Sequence, residues 1–188
     1  HADSVALFQL GDPASDALEV MAEGGSTGPL TEFLEAQGKD VGAVTTIGAL
    51  LPPGATAVAM LEAPAQHDYL STAGMLIPTN DTFFAVNRQR LPQRGSVAVF
   101  AQAYDAGTEA NDQNCGSIPG PRCGGAGLSA GQLAVRDRRD AADRAVAAGS
   151  LRPGRDACTV RCGIPGRIAR RGADRRMGIR EQHPGHET

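Results

Sequence analysis

The chain has 188 residues, a formal net charge of −3 and no tryptophan. Its length suits one domain of ordinary size with some chain left over, and its apolar runs fall far short of the ~20 residues that cross a bilayer as a helix. The near-neutral total hides a split: residues 1–132 hold 5 Lys+Arg against 14 Asp+Glu, a balance of −9, and residues 133–188 hold 13 Arg against 7 Asp+Glu, a balance of +6.

The elements follow in chain order. Residues 4–10, SVALFQL, read as a strand. A chain that opens at His1 directly into such a pattern reads as a fragment or a processed product, and no signal peptide precedes it. The period then changes: Ala14, Leu18, Met21 and Ala22 fall at helical spacing, with Asp12-Pro13 before them and Gly24-Gly25 after them. A second short helix fits Leu30–Ala36. From there the pattern is strands with turn signals: Ala43–Leu51, Thr56–Leu61, Leu70–Ile77, Thr82–Arg88 and Val97–Tyr104. Such spacing predicts a mostly β, antiparallel sandwich or barrel with one or two short helices near the N-terminus. All seven aromatic residues, from Phe8 to Tyr104, precede residue 105. The core therefore comes from the first two-thirds of the chain. After Gly131 the sequence is rich in Arg, Ala, Gly and Asp without a sustained period of two. Residues 133–188 are expected to be a disordered or irregular tail appended to a domain of residues 1–132.

Cys115 and Cys123 sit in the Gly/Pro-rich loop NCGSIPGPRCGG. Its Pro and Gly turns allow the two ends to meet, so a disulfide is expected, and with it an oxidising, extracellular compartment. Cys158 and Cys162 with His183 and His186 resemble a zinc-finger spacing only loosely, with the His pair too close and no apolar core between the pairs.

Two segments carry candidate chemistry, IPTNDTFFAVN (77–87) and AYDAGTEANDQNC (103–115). A hairpin through Leu91–Gly95 sets Val86 opposite Phe100 and Phe84 opposite Gln102, which brings Asp81 opposite Asp105 at its open end. Glu109 follows after a turn at Gly107. Three converging carboxylates repel one another unless a cation joins them. Hard oxygen donors on loops suit calcium. Asp and Asn are equally common as turn residues, and the residues alone leave both readings standing. Asp112 reads as turn chemistry. His67-Asp68 with Ser71 invites a triad reading, but triad members normally come from distant loops, and a His in a Pro-flanked turn reads as a plain surface residue. No nucleophile–base pair supports an enzyme, no tryptophan offers sugars a stacking platform, and the Arg-rich tail lacks any recognised nucleic-acid module.

The pieces GDPASDALEVMAEGG, LPPGATA, YLSTAGMLIPTNDTFFAVN and AYDAGTEANDQNCGSIPGPRCGG resemble, in order and spacing, the spondin domain (the F-spondin N-terminal domain) of bacterial secreted proteins. The likeness covers roughly residues 4–130. It implies a C2-like antiparallel β-sandwich, secreted, that binds Ca²⁺ through loops at one end. The family's carboxylates map onto Asp81, Asp105 and Glu109, the last standing where animal members usually carry Asp. Animal spondins are matrix and adhesion proteins. The implied function is a non-catalytic calcium-binding module for extracellular adhesion or surface interaction, with an extracellular protein or glycan as partner. The alternatives are a calcium-dependent phospholipid-surface binder and a metal-dependent hydrolase using the same carboxylates. Ligands on exposed loops would give weak affinity, on the order of 10⁻⁴–10⁻³ M. The likeness stops near Gly131, where the family continues to a closing strand near Asp-Trp-Arg-Asn-Pro. Out-of-frame translation of a GC-rich gene would produce such a tail, leaving the sandwich short of at least one strand.

Overall fold

The computed structural model describes residues 1–121, 123–124, 135–137, 159–163 and 174–182. Two helices come first. In α1 (Asp16–Gly24) the Ser15 hydroxyl accepts from the Leu18 amide at 3.3 Å, and acidic Asp16 and Glu19 favour the first turn. Leu18, Met21 and Ala22 form its buried stripe. α2 (Gly28–Glu35) carries Pro29 in its first turn, where its fixed φ suits a helix start.

The rest is antiparallel β structure. One sheet runs β2 (Tyr69–Met75), β3 (Thr82–Arg90), β5 (Gln102–Asp105), β6 (Arg136–Asp137); the other runs β1 (Thr56–Pro64), β8 (Asp174–Gln182), β7 (Thr159–Gly163), β4 (Ser96–Phe100). Leu70, Val86, Leu91 and Ala101 pack with Leu61, Phe84, Val97 and Val99, so residues of both sheets share one core. On the other face of the β2–β3–β5 sheet, Phe83 and Ala85 meet Leu18, Met21 and Ala22 of α1. Phe8 meets Phe83 and Tyr104 edge to face and those two rings stack on each other, with centroids 4.7–5.5 Å apart. The helices thus form a third layer.

Several expected elements differ. Residues 4–10 are irregular, because Asn87 does the work of a ladder: its Oδ1 accepts from the Leu7 amide at 3.0 Å and its Nδ2 donates to the Phe8 carbonyl at 2.9 Å. Residues 43–51 have no strand pairing among the described residues, and Leu50 is 82 % exposed. The strand expected over Val97–Tyr104 is broken at buried Ala101, and its halves, β4 and β5, belong to different sheets. β7 and β8, from the Arg-rich tail, lie between β1 and β4; most of the rest of that tail, with Cys158, His183 and His186, lies outside the described residues. Val58, Met60 and Phe100 stand exposed on β1 and β4. Among the described residues no helix is long and apolar enough to cross a membrane.

Candidate functional site

The site lies where β3 begins and β5 ends. The ladder pairs Thr82 with Asp105, Phe83 with Tyr104 and Phe84 with Ala103. It runs one step further, the Ala106 amide donating to the Asp81 carbonyl at 3.1 Å. The expected register, Asp81 opposite Asp105, is therefore wrong by one residue. The break at Ala101 absorbs the difference, since β3 pairs with β5 and not with an unbroken hairpin strand. A one-residue slip moves a side chain to the opposite sheet face. Asp81 and Asp105 accordingly do not face each other across the strands.

Both carboxylates grip the same turn instead. Asp105 Oδ1 accepts from the Gly107 amide at 2.8 Å, and its Oδ2 accepts from Asn111 Nδ2 at 2.8 Å. Asp81 Oδ2 accepts from the amides of Thr108 and Glu109 at 3.0 and 3.2 Å. Gly107 turns the chain there with a φ of 73°, a conformation that costs a side-chain-bearing residue. Asn80 Nδ2 reaches the Ala110 carbonyl at 3.4 Å. The result is a closed corner: Asp81 and Thr82 are fully buried, and Thr108, Asp105 and Glu109 are 2–3 % exposed. Asp81 Oδ1 and both Glu109 carboxylate oxygens are sealed from solvent. Thr82 Oγ1 is also buried and has no hydrogen-bond partner among the described residues. The carboxylates expected on exposed loops are thus interior groups.

Among the described residues, no three His, Cys, Asp or Glu side chains gather as a metal-ion group. The slipped register explains this for Asp81 and Asp105. What the corner shares is burial: the side chains of Asp81, Thr82, Asp105, Thr108 and Glu109 are all withdrawn from solvent. Sequence reading passed over Thr82, Asn80 and Asn111; the signal for Asn111 was the run of Asn and Asp that follows Glu109.

The other candidates resolve simply. Cys115 and Cys123 are joined, with an S–S distance of 2.08 Å. Asp112 Oδ1 accepts from the Asn114 amide, a local turn bond. His67, read as a surface residue, is buried, and its Nε2 donates to the Lys39 carbonyl at 2.9 Å. Ser71 Oγ bonds the Arg88 amide and His1 Nε2, each at 2.9 Å, so His67 and Ser71 are engaged elsewhere.

Comparison with known proteins agrees with the fold. A family model described as Spondin_N matches residues 1–113. No curated protein matches the chain.

Proposed function

The chain belongs to the Spondin_N family, and from that membership we propose that it is a secreted, calcium-binding, non-catalytic module for extracellular adhesion or surface interaction. The observation that carries the calcium reading is the burial of Asp81, Asp105 and Glu109 at one loop corner. Carboxylates removed from water need compensating charge or donors. The four N–H groups on Asp81 and Asp105 are neutral dipoles, and a divalent cation would add full positive charge beside them. Asp81, Asp105 and Glu109 would hold it, with backbone carbonyls and water completing the six to eight oxygens that calcium takes. The bound cation neutralises the acids and fixes the turn. The Cys115–Cys123 bridge supports the extracellular setting, since such bonds persist in oxidising compartments.

Thermal unfolding of the full chain in EGTA and in millimolar calcium tests the reading. A rise in melting temperature with calcium is expected, and it should vanish in Asp105→Asn. An unchanged melting temperature in the wild type would rule the calcium reading out.

A further inference from the structure

We propose that β1 is a docking edge for a second copy of this chain, the two β1 strands pairing antiparallel about Ala59 to join two sandwiches through one continuous sheet.

The strand at the end of a sheet has one neighbour, and every second residue turns its N–H and C=O away from it. Among the described residues β1 and β4 end one sheet, and β2 and β6 end the other. Proteins keep such edges from pairing with short strands, bulges, charges, proline or a covering segment. β2 shifts register between Leu70 and Thr72, and its outer side is taken by His1, which exchanges two backbone bonds with Tyr69 at 2.8 and 3.2 Å. β4 has five residues and β6 two. β1 is different: it has nine residues in unbroken register with β8. Its one charged residue and its one proline, Glu62 and Pro64, come at its end, and no charge occurs from Val41 to Leu61.

A copy of β1 fits this edge. Laid antiparallel about Ala59, Val58 faces Met60 of the second copy, Ala57 faces its Leu61 and Thr56 faces its Glu62. No two charges meet, and apolar side chains meet apolar ones on both faces. Centring the pair on Met60 would instead set Val58 against Glu62. Facing side chains across such a seam have Cβ atoms about 4.5–5.5 Å apart. Val58 and Met60, 59 and 61 % exposed, would thus cover each other. At a net charge of −3 two chains repel only weakly. A twofold seam uses both β1 edges and stops at a dimer, whereas β1 on β4 leaves an edge open at each end and grows into a fibre.

Sedimentation velocity of the full chain, alkylated so that no intermolecular disulfide forms, tests the seam. A strand pair of this length is a small interface, below about 1,200 Å², so a monomer–dimer equilibrium at about 10–100 µM is expected. Val58→Lys and Met60→Glu each put a charge into the seam at a position already exposed. Each should keep the wild-type melting temperature and weaken dimerisation about tenfold. Mixed in equal amounts the two variants should dimerise again, because their opposite charges then face each other. Monomer at every concentration, assemblies that grow past the dimer, variants as dimeric as the wild type, or a mixture that stays monomeric would each overturn the proposal.

Discussion

Thr82 lies directly across the sheet from Asp105, which leaves Asp81 opposite Ala106. The two aspartates therefore reach one turn from different sides, Asp105 through the Gly107 amide and Asp81 through the amides of Thr108 and Glu109. Each has a structural duty even without a cation.

That duty can be measured. Asp81→Ala strips acceptors from two buried amides, and each orphaned donor costs about 1–3 kcal/mol. We expect a loss of about 2–5 kcal/mol in urea unfolding performed in EGTA. Wild-type stability under those conditions would show that the amide bonds to Asp81 contribute nothing.

Asn87 offers a second test. Its side chain bonds the Leu7 amide and the Phe8 carbonyl to β3, and Phe8 in turn packs on Phe83 and Tyr104. Asn87→Ala should cost about 2–3 kcal/mol and speed hydrogen exchange at Leu7. Asn87→Asp keeps an acceptor for Leu7 but sets a carboxylate against the Phe8 carbonyl, so it should be no better. Unaltered exchange at Leu7 in Asn87→Ala would contradict this account.

Gly42 and His67 form a close pair. A Cβ on Gly42 would lie 2.5 Å from His67 Nδ1 and 3.0 Å from the Ala63 Cβ. Gly42→Ala should therefore cost about 1–3 kcal/mol by overpacking. Much of that cost should disappear in a His67→Ala background, because the clash is chiefly with the imidazole. Additive losses in the double mutant would remove the steric explanation.

The disulfide closes a loop across a sequence separation of 8, beginning six residues after Glu109. Loop-closure entropy for that size is worth about 2.5 kcal/mol. Cys115→Ser with Cys123→Ser should lower stability by up to that amount. A reducing agent should reproduce the effect in the wild type and have none on the double mutant.

The sequence made some of this legible and hid the rest for physical reasons. α1 was readable from the spacing of Leu18, Met21 and Ala22 and from its Gly-rich stop. β1, β2 and β3 were readable from β-branched and aromatic runs bounded by Pro, Gly and Asn. Residues 43–51 carry the same composition, yet composition says nothing about whether a neighbouring strand is there to pair with. The corner at Ala101 had no marker, since alanine is neither a breaker nor a turn former, and the register beyond it slipped with it. The three acids were found, but their burial was not: Asp and Glu are normally exposed, and only the tertiary fold shows otherwise.

We propose that residues 133–188 are read out of frame and that the family's closing strand is encoded in another frame after Gly131. The coding sequence decides this: a Gly-rich strand and an Asp-Trp-Arg-Asn-Pro segment should appear there. Their absence from both alternative frames would sink the idea.

The burial of the corner reaches one step further. Asn80-Asp81-Thr82 spells the acceptor sequence for N-linked glycosylation. Asn80 is buried with its amide nitrogen on the Ala110 carbonyl, and Thr82 is sealed beside it. The folded protein hides the acceptor from any glycosyltransferase. In a eukaryotic secretory host the sugar can arrive only before β3 and β5 pair, and a glycan fixed there has no room in the finished sandwich. Chains made in such a host should divide into folded, unmodified molecules and glycosylated ones that never close the corner.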